Sequence, residues 1–157
     1  MQEANRPLDA SLFFKLIRVV NLTARPFHES VGKRQHLTLN EWRVMLVLAS
    51  HAGAAATDVS DRTGLDKMSV SRALAGLHRH GRLQREPDPT DQRKSRLFLT
   101  PAGKRLFAQV GALARRREAQ LFAGISAEEK RQLSTTLDRL AAAGLASEPL
   151  WKGDAPK

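Results

Sequence analysis

Cysteine and tyrosine are both absent from this chain, and aromatic residues make up only 5% of it. Without a thiol there can be no disulfide, no thiolate nucleophile, no Cys-ligated zinc and no thiol-based redox sensing. Long apolar runs are missing as well. The longest strongly apolar stretch, Val44 to Ala49, falls far short of the roughly 20 residues that cross a bilayer. No basic-then-apolar leader follows Met1, so a cytoplasmic protein with no membrane partner is expected. A basic helix lying on a membrane would also want aromatic anchors, and only two Trp are present. Enzyme signatures are lacking too: no Gly-rich phosphate loop, no Gly-x-Ser-x-Gly elbow, no His-Glu-x-x-His and no carboxylate pair on one helix. His78 and His80 do not share a helix face, and they precede Gly81, where cations suit a helix C-terminus. The chain is therefore not expected to be an enzyme or to need a cofactor.

Positive charge is what the sequence has in excess. Lys and Arg total 26 against 16 Asp and Glu, a formal net charge of +10. Such a surplus implies a polyanionic partner, either nucleic acid or an acidic surface. At 157 residues and 41% hydrophobic content the chain can build one cored domain.

Helical periodicity organises the first half. Phe13, Ile17, Val20, Ala24, Phe27 and Val31 recur in steps of four and three, with Leu12, Leu16 and Val19 as a neighbouring stripe. That apolar face is wider than a surface helix needs, which fits either core packing or packing against a second subunit. Pro26 should kink or break it. A second helix is predicted from about Thr38–Asn40 to Ser50, with Trp42, Met45, Leu46 and Ala49 inward. Gly53 and Ala54–Ala56 then read as a turn, and Thr57 as the cap of a short helix ending at Gly64. Asp66 caps the next helix, about 67–79, which buries Val70, Ala73, Leu74 and Leu77 and turns Met68, Arg72, Ala75 and Arg79 outward.

Two helices joined by a tight Gly64-Leu65 turn make a helix-turn-helix pattern, in itself a common one. The following segment makes it specific. Residues 82–86 and 95–100 alternate as strands around a polar turn, 87–94, with Arg93 and Lys94 near its tip. From Arg62 to Arg96 nine basic residues stand against four acidic ones, so half of the net charge lies on a helix-turn-helix plus hairpin. The combination is a winged helix. Thr100-Pro101 starts a long helix to about Ala123, and Ser126-Ala-Glu-Glu129 is a capping box for the last helix, with Leu133, Leu137, Leu140, Ala141 and Leu145 on one face.

Asp91-Gln-Arg93 followed by Leu99-Thr100-Pro-Ala-Gly103 resembles the wing signature of the multiple-antibiotic-resistance regulator (MarR) family of bacterial transcription factors. Leu65 to Leu77 followed by Gly81 resembles that family's recognition helix, Leu37-Thr-Leu-Asn-Glu-Trp42 the start of its second helix, and Ser126-Ala-Glu-Glu the start of its last. The likeness extends over about residues 8–146. It implies a mostly α fold with a small β-wing: a winged helix-turn-helix lobe at 37–100, flanked by dimerisation helices at 8–36 and 101–146, with 147–157 a flexible tail. It also implies a homodimer on a pseudo-palindromic operator in double-stranded DNA, acting as a repressor released by a small ligand.

On this reading Lys67, Met68, Ser69, Ser71 and Arg72 face the major groove, with Arg72 set for a bidentate guanine contact or for a phosphate alone. Arg93 matches the family's minor-groove arginine. Asp91 is then expected to orient Arg93 through an ion pair, or to be an ordinary turn residue. Lys94 and Arg96 are phosphate contacts or solvated charges, and Arg115-Arg-Arg117 is a solvated or dimer-pairing face. Arg25, His28, Trp42, Arg43 and His51 are the ligand-pocket candidates, cationic and aromatic groups that suit a small aromatic carboxylate. The missing cysteines exclude the family's peroxide-sensing branch, and no His/Asp/Glu cluster supports metal sensing. Gln92 makes the wing tip slightly less basic than is usual. Two other readings remain open: an architectural protein coating DNA without sequence preference, and a regulator that senses no ligand.

Overall fold

The computed structural model describes residues 7–91 and 93–146; residues 1–6, Gln92 and 147–157 lie outside the described residues, as do the side chains of Leu8, Leu145 and Ala146. Two compact units divide between Val110 and Gly111. The first holds a 3-10 turn (Leu8–Ala10), α1 (Leu12–Phe27), a π-helical turn (His28–Gly32), α2 (Lys33–Gln35), α3 (Leu39–Ser50), α4 (Ala56–Thr63) and α5 (Lys67–Arg79). It continues through β1 (Leu83–Pro87), β2 (Ser95–Leu99) and the first half of α6 (Pro101–Leu121). The second unit holds the rest of α6 and α7 (Ala127–Ala146).

Capping sets most of these starts. Thr38 Oγ1 accepts from the Glu41 N–H at 3.1 Å while Glu41 Oε2 accepts from the Thr38 N–H at 2.7 Å, a reciprocal pair that opens α3. Ser126 and Glu129 do the same for α7, as the sequence predicts. The α4 cap differs from expectation. Its N-cap is Ala55, not Thr57, because Asp58 rather than a hydroxyl secures the turn by accepting from the Ala55 N–H at 2.8 Å. Gly64 and Gly81 end their helices at φ +68° and +65°, backbone that glycine adopts freely.

Pro26 does not break the first helix. The ladder passes it and widens immediately afterwards into the π-helical turn, with Ser30 Oγ donating to the Pro26 carbonyl at 2.6 Å. The short β-pair is antiparallel, Leu83 opposite Leu99, and Ala54 bridges to Leu97 as a third, single-residue rung. That bridge replaces part of the turn expected over Gly53–Ala56. The first strand starts one residue later than predicted and includes Pro87.

The core lies among α3, α4, α5, the strands and the start of α6: Val44, Met45, Leu48, Val59, Val70, Leu74, Leu77, Leu97 and Val110 are fully buried. The inward face of α3 is rotated from the predicted one. Val44 and Leu48 are buried while Leu46 and Ala49 are exposed, because Glu41 takes an inward position facing α5 and brings the residues three, four and seven places on with it. Its carboxylate approaches so closely over Gly76 that a Cβ there would overlap it. No residue of α1 is buried; Leu12 and Phe13 are about three-quarters exposed. Within one chain the wide apolar stripe is therefore not core. In the second unit Leu133, Leu137 and Leu140 are likewise left exposed on α7.

Candidate nucleic-acid interface

Helix α5 offers its N-terminal half to solvent. Lys67, Met68, Ser71 and Arg72 are exposed, and Met68 keeps 65% of its surface accessible. The same turn is tied together by Asp66. One carboxylate oxygen accepts from the Ser69 N–H at 2.8 Å, the other from the Ser69 hydroxyl at 2.6 Å, and Ser69 Oγ in turn accepts from Arg72 Nη2 at 3.3 Å. Asp66 thus holds Ser69, and Ser69 holds the guanidinium. The hydroxyl and backbone N–H of Ser69 keep the Asp66 carboxyl below the usual carboxylate range. A depressed folded pKa means the cap contributes fully above the unfolded value of about 3.9 and is lost as pH falls through the lower folded one. Acidification below about pH 4 is expected to fray the first turn of α5. Hydrogen exchange should report it as lost amide protection at Ser69 and Val70, and Asp66→Ala should show the same loss at neutral pH.

The wing tip is organised by two aspartates. Asp88 Oδ1 accepts from the Thr90 hydroxyl and backbone N–H and from the Asp91 N–H, which keeps its pKa low. Asp91 does not make the predicted ion pair with Arg93. Its Oδ1 accepts from the backbone N–H of Arg93 at 3.0 Å, and its Oδ2 lies 4.0 Å from Lys94 Nζ. The reason is reach: an aspartate closes a hydrogen bond to the backbone two residues on more readily than to that residue's own long side chain. The Arg93 side chain is exposed. Arg96 is partly committed, its guanidinium stacking 5.3 Å over the Phe98 ring and lying against Gly53.

Two adjoining grooves link helix and wing. One, of about 280 Å³, is lined by Thr57, Lys67, Ser71 and Arg85; the other, about 300 Å³, by Thr57, Arg85, Arg93 and Lys94. Thr57 and Arg85 lie in both and join the recognition helix to the wing. Sequence reasoning missed them. Alternation along β1 puts Arg85 on the same face as buried Leu83, opposite Leu97, so the pattern marks it as inward, and only the fold leaves it exposed beside α4. Arg82, counted in the basic patch, is turned elsewhere: its guanidinium donates to the Gln35 and His36 carbonyls at 2.5 and 2.9 Å.

The ligand-pocket candidates are only partly assembled. Trp42 is buried and stacks on Phe107 (5.3 Å) and Phe27 (6.4 Å), and Phe27 meets His28 edge-on at 6.3 Å. Arg43 is held by Asn40 at 3.1 Å. Arg25 is exposed in the last turn of α1, and His51 is exposed beyond the far end of α3, about 13 Å along the axis from Trp42.

Residues 37–94 match the protein-family model described as MarR family. The homoprotocatechuate degradative operon repressor of Escherichia coli is 27% identical over 131 residues, 83% of this chain and 88% of its own length. A MarR/EmrR family transcriptional regulator from Acinetobacter sp. ADP1 superposes with a TM-score of 0.82 at 25% identity, over 90% of this chain and all of that one. The PcaV transcriptional regulator of Streptomyces coelicolor, solved with its natural ligand, has the same fold at TM-score 0.77 and 24% identity, covering 88% and 97% of the two chains. With the MarR family model matching the helix-turn-helix and the first half of the wing, and the fold of MarR family regulators followed along nearly the whole length, the chain is similar to the MarR family of transcriptional regulators.

Proposed function

We propose that the protein is a homodimeric, sequence-specific repressor that binds a pseudo-palindromic operator from the cytoplasm and is released by a small aromatic acid. The observation that carries the DNA part is the junction of α5 and the wing, where Lys67 and Ser71, through Thr57 and Arg85, adjoin Arg93 and Lys94 on one cationic face. The N-terminal half of α5 enters the major groove. Arg72, pre-oriented by Ser69, reads a base edge there, and Lys67, Met68 and Ser71 complete the contact. The Ser69 hydroxyl donates its hydrogen bond to Asp66, and Ser69 acts through Arg72. Arg93 enters the adjacent minor groove, Asp91 shapes the turn that presents it, and Lys94, Arg85 and Thr57 take phosphates. Arg96, held over Phe98, contributes a weaker phosphate contact.

The dimer reading rests on the uncovered apolar faces of α1 and α7, which are too extensive to be left in water. The segments 8–36 and 101–146 carry that interface. The effector reading is supported by the E. coli relative, whose name ties it to homoprotocatechuate degradation, and by the ligand-bound PcaV structure. His28 and Trp42, with Arg25 and Arg43 on the flanking turns, form the aromatic and cationic side of such a site.

Footprinting on the DNA beside the protein's own gene tests this, at about 150 mM salt with excess scrambled competitor. Protection of two half-sites centred about one helical turn apart, roughly 10 bp, is the expected result. Equal competition by scrambled DNA would instead establish the architectural reading.

A further inference from the structure

Of the three methionines in this cysteine-free chain, Met1 lies outside the described residues and Met45 is fully buried in the core. Met68 instead keeps 65% of its surface exposed, in the first turn of α5 among Lys67, Ser71 and Arg72. We propose that Met68 is a site of reversible oxidation, at which a hypohalous acid converts the thioether to a sulfoxide and weakens the hold of α5 on DNA. This rests on the DNA reading above and adds to it a chemical control of one contact.

Position and reactivity agree. Oxidants of this class attack sulfur first, and with no thiol in the chain the exposed thioether has no faster competitor. Trp42, the next most oxidisable side chain described, is buried. An apolar side chain standing in water among polar neighbours adds little to the fold, and its use there is apolar contact with a base methyl. The reaction needs no help from the protein. The sulfur lone pair takes chlorine from hypochlorous acid as hydroxide leaves, and water then displaces chloride from the sulfonium. Sulfur loses two electrons, chlorine gains them, and the net products are the sulfoxide, chloride and a proton. Two consequences follow for DNA binding. The sulfoxide is polar, so the contact with a base methyl is lost. Its oxygen is also an acceptor one turn before Arg72, at the i, i+4 spacing of paired side chains, and competes for the guanidinium that Ser69 orients. A guanidinium drawn back onto its own helix no longer reaches a base edge.

The test treats the whole protein with a small molar excess of hypochlorous acid and quenches it with free methionine, which also removes chloramines from lysine. Peptide mapping should find the added oxygen at Met68 well before Met45. Anisotropy on a labelled operator should show about a tenfold loss of affinity, restored by methionine sulfoxide reductases acting on both sulfoxide epimers. Met68→Leu, compared with itself before and after oxidant, should not respond, whatever its own affinity. Met68→Gln, which sets an amide oxygen near the place of the sulfoxide's, should bind weakly without oxidant. A mapped Met68 sulfoxide with unchanged affinity overturns the proposal. So does a loss that survives Met68→Leu, as oxidation at Met1 or Met45 would give, or one that the reductases do not reverse. Untreated protein that binds no operator overturns the function proposed above together with this proposal; every other failure leaves that function standing.

Discussion

Gly103→Ala is expected to lower the stability of the protein by about 2–3 kcal/mol, and its melting temperature by several degrees, of order 5–10 °C. Gly103 is buried in the first turn of α6, where a Cβ would stand 2.2 Å from the Arg82 carbonyl oxygen. That oxygen already accepts from the Thr100 N–H at 3.1 Å, while the Thr100 hydroxyl donates to the Gly81 carbonyl at 2.6 Å and accepts from the Gly103 N–H at 3.1 Å. Glycine and threonine act together: one closes the hydrogen bonds between helix and strand, the other lets the backbones come near enough to make them. The obstacle is main chain, not the end of a flexible side chain, so relief requires α6 to part from β1. Alanine's better helix propensity returns about 1 kcal/mol, which is less than the overpacking costs. Gly144→Ala supplies the opposite sign. A Cβ there meets nothing, so α7 should gain roughly 0.5–1 kcal/mol. Thermal unfolding of the two variants against wild type checks both signs.

Arg93→Ala and Arg82→Ala should separate cleanly, although both remove a basic residue from the same stretch. Arg93 is exposed, and its only described hydrogen bond is through its backbone, so its loss should leave the melting temperature within about 1 °C. Operator affinity should fall by about ten- to a hundredfold, the scale of one lost base-edge contact on each wing of a dimer. Arg82 is half-buried and binds two main-chain carbonyls at the end of α2. Its loss should cost about 1.5–3 kcal/mol of stability, with operator affinity falling only as the folded fraction does. Melting curves and fluorescence anisotropy on a labelled operator distinguish the two. Unchanged operator binding by Arg93→Ala would remove the wing from the interface.

The contrast between these two arginines shows why part of the site was legible beforehand. Lys67, Met68 and Arg72 could be placed outward because helical period assigns them the face opposite Val70, Leu74 and Leu77, and that inference needs nothing beyond one helix. The direction of Arg82 depends on carbonyls 46 and 47 residues away. The same limit explains α3, where Leu46 and Ala49 fit a helical stripe as well as Val44 and Leu48 do. Periodicity offers both faces, and the close approach of Glu41 to Gly76 selects one. For Asp91 the expected partner is the Arg93 side chain, and the backbone N–H of Arg93 takes its carboxylate instead.

What the sequence by itself determined is what acts within about one helical turn: the caps at Asp66, Thr100 and Ser126, the helix ends at Gly64 and Gly81, and the hairpin with its basic tip. These rest on hydrogen bonds and dihedral preferences between near neighbours, so residue order suffices to specify them. Tertiary structure alone decided that the first helix buries none of its apolar stripe within the chain, and that Thr57 and Arg85 join the recognition helix to the wing. Those follow from which surfaces meet, and packing selects among several arrangements that the same periodicity allows.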